Sequence, residues 1–243
     1  LKTVYLNDFN LYKKGWANGR MYWGKGDYKV SDINQLKPKM KLSGTNWGNT
    51  FFPNGQFKFL KYNNNKKYDL CGMFQYPLKE QVYEHEFCQT PHYNKSRKPV
   101  YDLINNPKYN ACKLINGKRV SEQEYMENMY NSKITFSPYG FGAYGAPRDI
   151  QAHQFGSILI KPNIDWVNTT PNMYIKDKTY IACKDDFSDL EEKVDYALSN
   201  FNELQPYLTE NARKLLIEEY NPEKLVLHTY NIFKELQTIT TKQ

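Results

Sequence analysis

Residues 132–162 read SKITFSPYGFGAYGAPRDIQAHQFGSILIKP, and this stretch decides how the remainder of the chain is understood. Its apolar runs predict a strand over 133–136 and a second over 157–161, with a glycine-rich turn and a short helix opening at Pro147 between them. Gly140, Gly142 and Gly145 have the spacing G-x-G-x-x-G, and Pro147 stands where a first helical residue tolerates proline. Such a turn presents backbone N–H groups and a helix N-terminus to an anion, most often a phosphate. Arg148, in the first helical turn, adds a forked cation suited to phosphate oxygens.

Outward from this stretch the pattern alternates. On its N-terminal side lie a strand over 67–74 that includes Gly72, a helix over 96–105, a strand over 111–115 with an Asn116-Gly117 turn, and a helix from the capping box Ser121–Glu124 to Tyr130. On its C-terminal side follow a strand over 179–183, a helix from a second box at Ser188–Glu191 to about Phe201, and helices over 206–220 and 222–236. Strands alternating with helices predict an α/β protein with a parallel, doubly wound, Rossmann-like sheet. Ligands of such sheets bind outside the carboxyl ends of the strands, where Gly72, Asn116-Gly117, the 139–145 turn and Lys161 all fall. We expect a small, loop-rich N-terminal domain over residues 1–65, on the acceptor side. The nucleotide-binding domain is expected over 66–243, with its last helix packing back on the N-terminal part.

The composition narrows the partners. A chain of 243 residues with 40% hydrophobic side chains has room for a sizeable core. Aromatic residues reach 16%, with 21 tyrosines, which suits rings stacking on sugars or bases; AT-rich coding would enrich tyrosine equally. A net charge of +7 and a pI near 9.0 favour anionic partners. The basic residues are scattered, so a nucleic-acid tract is not indicated. No apolar run has the length of a membrane span, and no secretory signal is visible. Cys71, Cys88, Cys112 and Cys183 form no C-x-x-C, and three of them fall in apolar strands, as expected of free thiols in a reducing, cytoplasmic compartment. The chain opens at Leu1 rather than methionine, which we read as a piece of something longer, so a removed N-terminal anchor or signal stays open.

The central residues resemble a motif of GT-B-type glycosyltransferases, the exostosin-like group that includes bacterial and large-virus surface-glycan enzymes. The motif maps onto Ser132-Lys133, Ser137-Pro138, Gly140-Phe141-Gly142, Arg148-Asp149 and Gly156 through Pro162, and the resemblance spans about residues 67–238. It implies a GT-B-like nucleotide-sugar domain behind a reduced N-terminal domain, and transfer of a sugar from a UDP- or GDP-sugar to an oligosaccharide or glycoprotein acceptor. It also implies chemistry without a metal and without a resident cofactor. If the chain is viral, its compartment would be the host cytoplasm. The implied donor-binding residues are Gly72, Lys133, Tyr139, Gly140, Phe141, Gly142, Tyr144, Arg148, Asp149, Gln151 and Lys161. Two acidic positions of the family are occupied here by Ala143 and Gln151. Gln151 retains hydrogen-bonding capacity toward a ribose hydroxyl, whereas Ala143 replaces no carboxylate.

An inverting transfer needs a base for the acceptor hydroxyl. Glu84, His85 and Glu86 are the leading candidates, with His92 and Asp27 behind them. No D-x-D or H-x-x-x-H suggests a metal, and His153 stands alone in its short helix. Two other readings remain in view. A catalytically silent glycosyltransferase-like domain binding glycan or a partner would account for Ala143 and Gln151. A NAD-dependent oxidoreductase would use the glycine spacing with Asp165, 20 residues after Gly145.

Overall fold

The structure is a computed structural model that describes residues 20–23, 26–29, 60–74, 76, 90–113, 120–138, 146–165, 172–219 and 222–240. The chain forms two compact units, one from residues 58–165 and 174–214, the other from 1–57, 166–173 and 215–243.

The first unit is a parallel α/β sheet. Its elements, in order, are β3 (Tyr68–Gly72), α1 (Thr90–Ile104), β4 (Ala111–Lys113), α2 (Glu122–Tyr130), β5 (Ser132–Phe136), α3 (Pro147–Phe155), β6 (Ile158–Pro162), β7 (Ile181–Cys183), α4 (Leu190–Ser199) and α5 (Phe201–Glu219). α5 extends a few residues past the unit's boundary. The five strands lie in the order β4-β3-β5-β6-β7, and every neighbouring pair is parallel. α1 and α4 pack together over one face, α2 and α3 over the other. A sheet covered on both faces needs strands that are apolar throughout. β6 is buried along its whole length, and Leu70, Ile134, Phe136, Ile158, Leu159 and Ile160 are the centre of the core. The doubly wound parallel sheet expected from the alternation is therefore present.

The chain enters at β3, steps outward to β4, then returns past β3 to β5 and continues to β7. The direction of winding reverses between β3 and β5. Their carboxyl ends thus flank the sheet's crevice, because the connections leaving them diverge to opposite faces. Segment 137–146, which carries the glycine spacing, leaves β5 at that place and enters α3.

Local chemistry explains most element limits. Ser121 accepts a hydrogen bond from Glu124 N at 3.1 Å and starts α2 as a capping residue. Asp189 precedes α4 but makes no cap; its carboxylate accepts from Lys184 N at 2.7 Å, so the second predicted box closes a turn instead. α1 begins at Thr90 rather than Ser96, since Thr90-Pro91 is the stronger start, and Pro99 lies within it. α5 begins at Phe201, ahead of the predicted Pro206, because buried Phe201 is drawn into the core and Asn200 O receives Glu203 N and Leu204 N. Ser121→Ala should lower stability by about 0.5–2 kcal/mol in a urea titration, and an unchanged midpoint would show that the cap contributes nothing.

α3 ends at Gly156, whose φ of 65° lies in the left-handed region. Arg213 of α5 donates to His153 O and Gln154 O, both at 2.9 Å, and Gln205 donates to Gly156 O at 2.6 Å. These donors satisfy carbonyls that the last helical turn leaves open. Lys66 does likewise for Phe155 O at 3.2 Å and for Tyr130 O, at the end of α2, at 2.6 Å.

The second unit contributes an antiparallel hairpin of β1 (Arg20–Trp23) and β2 (Gly26–Lys29), and the helix α6 (Pro222–Thr240). Among the described residues, no helix is long and apolar enough to cross a membrane.

Candidate functional site

α3 sets the site. Pro147 is its first residue, and Asp149, two positions on, folds its carboxylate back to accept from Ala146 N at 3.1 Å. That is the return half of a capping box; Ala146 has no side-chain acceptor to supply the other half.

The Asp149 carboxylate does more than cap. Its Oδ2 accepts from Lys161 Nζ at 2.8 Å and from the Tyr174 hydroxyl at 2.7 Å. The Lys161 ammonium also stands 4.1 Å from the centroid of the Tyr174 ring. Asp149 is 0% exposed and Lys161 3%, so the three groups form a closed, water-excluded triangle at the carboxyl end of β6. Burial pushes the Asp149 carboxyl up, yet Lys161, Ser137 and Tyr174 together hold it below the usual carboxylate range. Among the described residues Oδ1 has no hydrogen-bond partner.

His153 lies one turn further along α3, also buried, and among the described residues its Nδ1 has no partner. Burial brings its imidazole down to about 4; the nearby Asp149 charge opposes this, and Arg213 and Lys161 reinforce it. The ring is neutral at pH 7 and fills the space under the helix as a core residue.

Arg148 precedes Asp149 in the same helix turn. It is half-buried, and its charge acts on the Tyr125 phenol of α2. Burial pushes that phenol up, and Arg148 works against the shift. The Arg148–Asp149 pairing that adjacency allows is not made, because Lys161 occupies the carboxylate.

The other candidates separate. Gly72 closes β3 at the crevice and has a packing reason to be glycine. A Cβ there would overlap Ile104 Cδ1 and come within 3.1 Å of Ile104 Cγ2 and 3.2 Å of Cys112 O. Gly72→Ala should destabilise by about 1–3 kcal/mol, read as a lower denaturation midpoint; an unshifted midpoint would show that Ile104 yields freely. Lys133 is near the amino end of β5, paired with Asp69 at 2.8 Å, and so lies at the opposite edge of the sheet from the crevice. Gln151 is half-buried in α3. Asp165 is exposed in the turn after β6.

Tyr139, Gly140, Phe141, Gly142, Ala143, Tyr144 and Gly145 lie outside the described residues, as do Glu84, His85, Glu86, Asn116 and Gly117. His92 is in α1 and Asp27 in β2. Among the described residues no group of His, Cys, Asp and Glu is arranged to hold a metal.

Structure therefore joins Asp149 to Lys161 at the carboxyl end of β6, with Arg148 beside Asp149 in the first turn of α3; Gly72 ends β3, and Gln151 lies further along α3. Two contributors escape a reading of the sequence. Tyr174 comes from the connection to β7, and Tyr125 from α2, and neither lies in a motif. A tyrosine-rich chain provides no local signal to single them out.

No protein-family model matches this chain, and no curated protein sequence matches it either.

Proposed function

We propose that this protein is a metal-independent glycosyltransferase of the GT-B type, acting on a nucleotide-diphosphate sugar. The donor is a UDP- or GDP-sugar, and the acceptor is a hydroxyl of an oligosaccharide or glycoprotein in surface-glycan synthesis. One observation carries the reading. The segment with G-x-G-x-x-G spacing leaves β5 where the winding reverses and enters α3, with Arg148 in its first turn.

In this reading the backbone N–H and the guanidinium of Arg148, at the start of α3, take the diphosphate. They stabilise the negative charge that grows on it as the glycosidic bond to the sugar breaks. Asp149 acts through Ala146 and Lys161, holding the helix start in place. Lys161 neutralises the buried carboxylate, so its negative charge does not oppose an incoming anion. Gln151 offers an amide to a ribose hydroxyl. Glu84, His85 and Glu86 remain the candidates for deprotonating the acceptor, in a cytoplasmic enzyme that keeps no resident cofactor.

A thermal-shift panel of UDP-, GDP-, TDP- and CMP-sugars, with NAD and S-adenosylmethionine alongside, tests the assignment. A ligand at about 100 times its Kd adds about 2.7 kcal/mol of apparent stability. The expected result is a rise with a UDP- or GDP-sugar, lost in Arg148→Ala while the unliganded melting temperature is kept. A response to NAD alone would replace this reading with the oxidoreductase. The silent-domain reading draws on Ala143 and Gln151, and binding without transfer of labelled sugar would favour it.

A further inference from the structure

β3 and β4 are aligned so that Cys71 stands directly opposite Cys112. In-register residues of parallel strands point to the same face, and both side chains are buried there in a cluster with Met73 and Met129. Adjacent strands are ~4.8 Å apart, inside the ~4.4–6.8 Å between Cα atoms that a disulfide spans. Both thiols are free, and Cys112 Sγ lies 3.3 Å from Ser132 Oγ.

We propose that Cys71 and Cys112 form a reversible dithiol–disulfide couple, a modification site for a small two-electron oxidant of the peroxide class. The neighbouring Cys71 holds the Cys112 thiol below its ordinary value against the opposing effect of burial, while the neighbouring Cys112 and burial push Cys71 up. Cys112 is accordingly the nucleophile, and Cys71 keeps its proton. Cys112 also lies on the short edge strand, where local opening to a small oxidant costs least.

The Cys112 thiolate attacks one peroxide oxygen and the O–O bond breaks. The departing hydroxide takes a proton and leaves as water, so Cys112 becomes a sulfenic acid. The Cys71 sulfur, giving up its proton, then attacks the Cys112 sulfur. The S–O bond breaks and a second water leaves. Two thiols lose two electrons and one peroxide is reduced to two waters. An external dithiol reverses the change by exchange.

The couple does not depend on the glycosyltransferase reading. Its test uses the full chain carrying Cys88→Ser, which leaves Cys71, Cys112 and Cys183 as the thiols. The reduced protein is treated with stoichiometric hydrogen peroxide, denatured, and alkylated with N-ethylmaleimide. Before alkylation the mass should fall by about 2 Da, the two hydrogens lost on forming a disulfide. Only Cys183 should then alkylate, and a peptide joining Cys71 to Cys112 should appear and vanish with dithiothreitol. Burial pushes the Cys183 thiol up, which makes it the internal control. Alkylation of all the thiols, a cross-link that includes Cys183, or irreversible gain of oxygen at Cys71 or Cys112 would overturn the proposal.

Discussion

Lys161→Met should destabilise the protein by about 3–5 kcal/mol, the usual cost of stranding a buried charge. The ammonium it removes is 2.8 Å from Asp149, and both residues are almost wholly inaccessible to water. Methionine matches the aliphatic stem and still packs on the Tyr174 ring, so the loss reports the charge rather than a cavity. Asp149 then keeps the Ala146 N–H and the Tyr174 hydroxyl, but no cation, and must either stay ionised at great cost or take up a proton. Lys161→Met combined with Asp149→Asn should recover part of the loss, because the amide still accepts from Ala146 and carries no charge. Urea titrations of the wild type, both single variants and the double variant form the cycle. Additive effects would mean that the pair is uncoupled, against the geometry.

Acid should reveal the second large effect. His153 titrates near 4 in the folded chain, against about 6.5 in an unfolded one. Below about 6.5 the unfolded state takes a proton that the native state refuses, so stability falls as pH drops from about 6.5 toward 4. The gap corresponds to about 3 kcal/mol across that window, at about 1.4 kcal/mol per pH unit. Stability measured from pH 4 to 8 in wild type and His153→Leu isolates this contribution, since the other histidines titrate in both. The difference between the curves should be flat above pH 7 and grow on acidification; parallel curves throughout would refute a buried neutral imidazole. Asp149, whose folded value is depressed, contributes stability above its unfolded value near 3.9 and loses it only as pH falls lower. The two groups therefore separate along the pH axis.

The elements were largely legible in the chain because their causes are local. The apolar run of β6, the proline that opens α3, the glycine that closes it and the Ser121 cap are each decided within a few residues. Where the expected limits moved, at Thr90, Phe201 and Asp189, a second local signal or a buried side chain outweighed the first. The candidate site was legible in part. Arg148, Asp149, Gln151 and Lys161 stand out by spacing, but spacing does not say which of them spend their charge on each other. Asp149 and Lys161, both candidates for the ligand, are fully buried and are each other's counter-ion. Lys133, equally plausible as a cation, is at the other edge of the sheet with Asp69.

From the sequence alone came the alternation of strands and helices and the glycine-rich passage into α3, because hydrophobic periodicity and turn chemistry act over short range. Only the tertiary structure placed β3 between β4 and β5, and with it the reversal of winding beside that passage. Only it closed the triangle of Asp149, Lys161 and Tyr174 and set Cys71 against Cys112. Strand order and charge pairing join residues far apart in the chain, and desolvation decides their energy; neither leaves a mark on the residues nearby.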